Sequence, residues 1–366
     1  MRSGGRLKSI LDRALAEESL SFSDIKFILG DRDKKEREKI FAAARRLRRR
    51  YFDRKLFACG FVYFSTYCRN NCSFCFYRRN NDLSPRYRKN REDVMEISRT
   101  LAEAGVHLLD ITMGEDPQFY REDQDFTGLV DIVAGLKEEL NLPVMVSAGR
   151  VPRRVLSDLR RAGADWYACY QETHNREHFS RLRRGQDFDS RLDVKKEAAE
   201  KGFLIEEGML LGTGESREDR VKSVLMMRRL SVDQGRVMSF VPQAGTPMSA
   251  RNTPPREEEM LMIAAMRLAM PDILIPASLD VEGITGLKPR LRAGANVVTS
   301  IIPEGTGLKG VSNSDLDIDG GRRSMAGVRK ELEETPFKLA AAEEYRRWIK
   351  NRREQKQSSV KRSGSV

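Results

Sequence analysis

The stretch Leu56–Cys75, LFACGFVYFSTYCRNNCSFC, runs an apolar, strand-like segment straight into Cys68, Cys72 and Cys75, spaced C-x3-C-x2-C. That spacing reads as a three-thiolate cradle for an iron-sulfur cluster. Cubane clusters usually take four cysteine ligands, so a compact trio with no fourth partner nearby leaves one iron open to other chemistry. The remaining cysteines do not complete the set. Cys59 sits inside the strand-like run and Cys169 in a similar run, WYACYQE, where a free thiol behaves as a small core residue. Five cysteines, an odd number, make no disulfide framework and point to a reducing compartment. Zinc would ask for a second pair of ligands. The histidines are His107, His174 and His178, and there is no second cysteine pair.

The same apolar run is the first of eight. Segments at 57–65, 107–113, 143–147, 165–171, 203–211, 236–241, 273–279 and 296–302 alternate with charged, helix-periodic stretches at about 35-residue intervals. Eight β/α units imply a complete (β/α)8 TIM barrel, and 366 residues suit one because such barrels run long as single units. The expected organisation is a basic N-terminal helical extension over 1–55, the barrel over 56–335, and over 336–366 a C-terminal helix with a basic, disordered tail.

Charge is unevenly distributed. Residues 1–55 carry 17 Lys and Arg against 9 Asp and Glu, and residues 346–366 carry 8 against 1; of the net +12, the body between them is left with −3. Basic ends on a slightly acidic body read as solvated helix faces and a tail rather than a nucleic-acid site, although RRLRRRYFDRK from Arg45 is the one segment suited to a polyanion. No apolar run approaches the ~20 residues that span a bilayer, and the N-terminus lacks the apolar core of a secretory signal. A cytoplasmic location is expected, with no membrane partner.

In such a barrel the active site lies at the C-terminal rim of the strands. The ends of the apolar runs are unusually polar there. Asp110, Thr112 and Gly114 alternate onto one face of the second strand, and an aspartate in an apolar strand is costly without a partner. The third run ends at Ser147 and the fourth at Gln171-Glu172; Arg183, Arg184 and Arg191 follow. Arg236 opens the sixth run, and Ser278 and Asp280 lie two apart at the end of the seventh. An arginine, two aspartates and a serine at one barrel mouth suit a zwitterion with one carboxylate and two ammonium groups.

The cysteine spacing, with the aromatic Phe74 before the last cysteine and a position after the first barrel strand, resembles the radical S-adenosylmethionine (SAM) superfamily. The resemblance implies a barrel of radical SAM type and a 4Fe-4S cluster on Cys68, Cys72 and Cys75. SAM would chelate the open iron and yield a 5′-deoxyadenosyl radical on one-electron reduction. It implies SAM contacts from Gly114 and Glu115, in a segment similar to the family's GGE-like stretch, and from Ser147. In the biotin-synthase-like branch a Glu after strand four and an Arg about twenty residues later hold the SAM ammonium and carboxylate, which Glu172 and Arg191 match, with Arg183 beside them.

From about Phe22 to Pro303 the chain resembles, within that branch, the lysine mutases that open pyrrolysine biosynthesis. The likeness is carried by YFSTYC, DITMGEDP, CYQET, RVMSFVPQAGTP, IPASLDVEGI and AGANVVTSIIP. It implies an isomerase that converts L-lysine to (3R)-3-methyl-D-ornithine by hydrogen abstraction, fragmentation to a glycyl-type radical and an alkene, and recombination, with SAM regenerated. It assigns substrate contacts to Asp110, Arg236, Ser278 and Asp280, and a reductase, flavodoxin or ferredoxin as electron donor. One departure is Ala148, where the family has Pro. The region after about Gly305 matches weakly and is assigned to the lower rim and subunit contacts. Two alternatives stand beside this reading. One is another biotin-synthase-like enzyme, of maturase type, acting on a different small amino acid; the other is an RNA-binding or scaffold protein whose cluster is structural.

Overall fold

The computed structural model describes residues 3–312 and 315–363. Eight parallel strands form the core: β1 Lys55–Ser65, β2 Leu108–Met113, β3 Val144–Ser147, β4 Trp166–Ala168, β5 Leu204–Leu211, β6 Gln234–Ser239, β7 Pro276–Ser278 and β8 Val297–Ile301. They pair in the order β6-β5-β4-β3-β2-β1-β8-β7. A parallel bridge, Gln234 to Leu274, joins the two ends and closes the barrel. Strands covered on both faces read as continuous apolar runs, and every residue of β2 and β5 is buried.

The strand boundaries differ from the apolar runs by one to three residues, and two of the differences bear on the site. β4 ends at Ala168 because the chain leaves the ladder there and returns only as a bridge from Glu172 to Met209, with Glu172 at φ +67°. β6 begins at Gln234, so Arg236 lies within the strand rather than at its start. Its register partner on β5 is Gly208.

Side-chain alternation then sorts the barrel interior into levels. Near the N-terminal mouth Phe57, Cys59, Leu108, Met145, Trp166 and Leu204 share one apolar cluster. Two residues further along their strands stand Asp110 and Glu206, both buried. The change from apolar to polar occurs inside the strands, well below the rim.

Capped helices place the loops that matter. After β4 the chain makes Arg176–Leu182, turns, and starts Phe188–Glu200 with the Asp187 side chain accepting from the Ser190 amide. That turn carries Arg183 and Gln186, and the first turn of the second helix carries Arg191. At the N-terminus the helices Ser3–Leu15, Phe22–Ile28 and Lys34–Phe52 join the barrel's core through Ile10, Ile25 and Leu47. Within the basic segment Arg48 turns inward, buried over the Phe337 ring at 4.3 Å, while exposed Arg50 donates to the Leu15 carbonyl at 2.9 Å.

At the C-terminus a short strand, β9 Lys338–Leu339, pairs with the start of β1, and the helix expected there, Ala342–Ser363, extends into the basic segment expected as a disordered tail. It plugs the N-terminal mouth of the barrel. Tyr345 packs on Phe57 at 4.9 Å and Trp348 stacks parallel to Trp166 at 5.8 Å, a geometry worth ~1 kcal/mol beyond area burial. Its basic residues face acids at the barrel base: Arg352 donates to Asp233 at 2.8 Å and Arg353 to Asp165 at 2.9 Å. The end of the tail, 364–366, lies outside the described residues.

Candidate active site

The cysteine loop leaves β1 and is fixed from both sides. The Ser73 amide and hydroxyl both donate at 2.7 Å, to the carbonyls of Leu182 and Arg181. Arg86 gathers the carbonyls of Thr66, Tyr77 and Arg78. Asp116, fully buried just past β2, clamps the returning limb through a two-pronged pair with Arg88 at 2.8 Å. Gly114 is required for this approach: a Cβ there would stand 2.3 Å from the Tyr67 carbonyl and 2.9 Å from the Cys68 Cβ.

Cys68, Cys72 and Cys75 line one cavity of about 230 Å3 at the C-terminal rim. Among the described residues no three His, Cys, Asp or Glu side chains converge as a single-ion site needs. A cubane asks for a wider arrangement, one thiolate to each of three irons. The electrostatics suit such a group. Burial, followed by the charge of Cys72, pushes the Cys68 thiol up to about 11, and the same two causes raise Cys75, so thiolates here need a strong positive charge. Cys72 already faces donors: Gln186 Nε2 lies 3.0 Å and Arg183 Nη1 3.6 Å from its Sγ.

The residues assigned to SAM gather around this cradle, each with a protein partner. Glu172 is held by Arg183 Nη2 at 2.7 Å; burial raises its carboxyl, and Arg183 partly offsets that. Arg191 donates to the Tyr170 carbonyl at 2.8 Å and to Glu115 at 3.2 Å. Burial opposes the charge of Glu115, but Arg191 and the Arg150 amide hold its carboxyl below the usual range. Gly149, at φ +72°, lets the end of β3 close over Glu115, since a Cβ there would lie 2.4 Å from Glu115 Cγ.

Below the cradle lies a polar floor. Asp110 Oδ1 accepts from Ser147 at 2.7 Å and from Thr112 at 2.8 Å, so the Ser147 hydroxyl turns toward the floor. Burial, then neighbouring Glu206, raises Asp110 to about 6. Arg236 Nε donates to Glu206 Oε1 at 2.7 Å and Nη1 to Thr299 at 3.1 Å. The other Glu206 oxygen is buried and makes no hydrogen bond among the described residues.

Ser278 and Asp280 stand apart from this group. Asp280 accepts from Arg323 at 2.8 Å, the Val311 amide at 3.1 Å and the Ser300 hydroxyl. Asp110, Glu206, Ser278 and Asp280 all stand behind the cavity lining, but the side-chain partners of Asp110 and Glu206, namely Thr112, Ser147 and Arg236, are part of it, whereas Arg323 and Ser300 are not. Val311 and Ser312 line it instead. Of the region after Gly305, Val311 and Ser312 therefore belong to the rim of the site, while β9 and the C-terminal helix pack at the lower rim. Residues not singled out from sequence include Glu206, Gln186 and Arg323. Glu206 carried a signal: two glutamates interrupt an apolar strand, and the one sharing a face with Gly208 points inward.

A closed parallel barrel with three thiols at its C-terminal rim and a charged floor beneath defines a radical SAM enzyme, and residues 62–227 match the Radical SAM superfamily. The curated 3-methylornithine synthase of Methanosarcina acetivorans is 43% identical over 86% of this chain and 89% of its own length. That of Methanosarcina barkeri is 41% identical over 89% and 92%. A crystal structure of methylornithine synthase (PylB) superposes with a TM-score of 0.87 at 39% identity, covering 93% of this chain and 99% of its own. The chain belongs to the 3-methylornithine synthase family.

Proposed function

We propose that this enzyme isomerises L-lysine to 3-methylornithine within the cavity between the cysteine cradle and the Asp110–Arg236 floor. The observation that carries the reading is this stacking of a three-thiol rim over a floor with one guanidinium and two carboxylates. A reduced 4Fe-4S cluster with SAM supplies, when bound, the one-electron chemistry that removes a hydrogen atom from an unactivated carbon. Every other task falls to side chains.

Cys68, Cys72 and Cys75 would hold the cluster. Glu172, Arg191 and Gly114 are the groups for the SAM ammonium, carboxylate and close backbone contact. Arg236 takes the substrate carboxylate; its Nε is fixed by Glu206 and its Nη1 by Thr299, leaving Nη2 to the ligand. The Asp110 carboxylate, aligned by Ser147 and Thr112, takes an ammonium group. Ser278 and Asp280 act on the substrate only if the Arg323–Asp280 pair rearranges, so in this arrangement they shape the wall behind Val311. Tyr170, Met238 and Phe240 line the cavity with apolar surface, which keeps water from a reactive fragment. The electron comes from a reduced flavodoxin or ferredoxin, and free thiols suit a reducing cytoplasm. Among the described residues no helix is long and apolar enough to cross a membrane.

Ligand choice tests the floor directly. Isothermal titration of the reconstituted, SAM-loaded protein is expected to show L-lysine binding and at least tenfold weaker binding of 5-aminovalerate or cadaverine, which lack one charge each. Equal binding of all three would remove the two-ended electrostatic reading.

A further inference from the structure

A second cavity, of about 380 Å3, opens outside the cysteine cradle and has a different character. Arg69, Arg79, Arg121, Arg150 and Arg191 line it against Glu115 and Asp187. Both acids are already engaged, Glu115 by Arg69 and Arg191, and Asp187 as the cap of its helix. Arg79, Arg121 and Arg150 are exposed and form no ion pair among the described residues. The barrel body as a whole is slightly acidic, so this is a local reversal of sign.

Its position gives the reversal a use. Asn70, Glu115 and Arg191 line both cavities, and Gln186, which lines the outer one, donates to Cys72 Sγ at 3.0 Å. One layer of side chains separates the arginine vestibule from a cluster ligand. Exposed apolar groups lie on the same cysteine-bearing segment: Leu83 is 67% exposed and Tyr67 38%. Exposed arginines around a short path to a buried redox group suit a weak, electrostatically steered encounter.

We infer that this face docks a small acidic one-electron carrier protein, with Arg79, Arg121 and Arg150 as its steering charges; the inference rests on the radical SAM reading above. The exchange is simple: one electron leaves the carrier's reduced cofactor and enters the cluster, and no atom or proton need move. A polyanion such as RNA would be drawn by the same charges but has no use for proximity to Cys72.

The test uses the full chain with its cluster reconstituted and an oxidised flavodoxin as probe, its binding followed by flavin fluorescence anisotropy. Wild type is expected to bind at low salt and to weaken about tenfold or more as salt is raised past physiological strength. The triple reversal R79E/R121E/R150E should lose at least tenfold at low salt and most of the salt dependence, while R79K/R121K/R150K keeps both. Melting temperature, iron content and dithionite-driven lysine turnover should stay at wild-type values in both variants, because dithionite needs no docking surface. Flavodoxin binding that is absent in wild type, or unchanged in the reversal variant, overturns the inference, as does an RNA oligonucleotide that binds this face while flavodoxin does not. Failure of wild type to convert lysine under dithionite would overturn the proposed reaction instead and leave the docking result standing.

Discussion

Replacing Arg236 with Met separates the two jobs of the barrel floor. In the native structure Glu206 is fully buried, accepts from Arg236 Nε at 2.7 Å, and among the described residues has no hydrogen bond at its second oxygen. Asp110 adds a second carboxylate nearby. Removing the guanidinium leaves an uncompensated buried charge, a change that typically costs about 3–5 kcal/mol. Spread over a chain of this size, with an unfolding entropy of about 2 cal/mol/K per residue, that lowers the melting temperature by roughly 4–7 °C. Replacing Glu206 with Gln as well removes the stranded charge, so R236M/E206Q should recover most of the loss, to within about 1–2 kcal/mol of wild type. Lysine binding should not recover, because the carboxylate anchor is still missing. Calorimetric melting of the four proteins of the cycle, with lysine titration of each, reads both quantities. An R236M cost below about 1 kcal/mol would refute the buried-pair reasoning, and turnover by the double variant would refute the anchor.

Three further outcomes are expected. Because Asp110 titrates near 6, the KM for lysine should rise as pH falls through that value. The D110N variant should bind lysine poorly at every pH, yet gain about 1–3 kcal/mol of stability at neutral pH. The sign follows from the raised carboxyl: the folded form holds its proton from about pH 4 to 6, and stability declines across that window and stays lower above it. In G114A the added Cβ meets the Tyr67 carbonyl, so reconstituted iron content should fall by more than half; full loading would show that the loop adapts. In R352A the buried Asp233 loses one of its two cationic partners, which should cost about 1–3 kcal/mol in denaturant melts without changing cluster content; altered iron loading would tie the plug to the opposite rim.

The barrel was legible because its evidence is local: eight apolar runs at regular spacing, and three cysteines at the end of the first. Asp110 and Arg236 were legible for a related reason, since a charge inside an apolar strand is costly and announces itself. Glu206 stood in an equally apolar strand, but a pair of adjacent glutamates hides which one faces inward until register with β6 is known. The partners of Asp280 were not legible at all. Arg323 lies 43 residues away, and only folding brings it there. A C-terminal helix was expected, but its length was not legible because its basic end has the composition of a disordered tail; the acids that neutralise it, Asp165, Asp233 and Asp272, are scattered over three connections at the barrel base.

The most direct test of the central claim is the product. The reconstituted enzyme, incubated anaerobically with dithionite, SAM and L-lysine, should yield an amino acid isobaric with lysine but chromatographically distinct, matching authentic 3-methylornithine, with little net loss of SAM. Unchanged lysine accompanied by accumulating 5′-deoxyadenosine would contradict the account, since the cradle would then work while the floor beneath it served a different substrate.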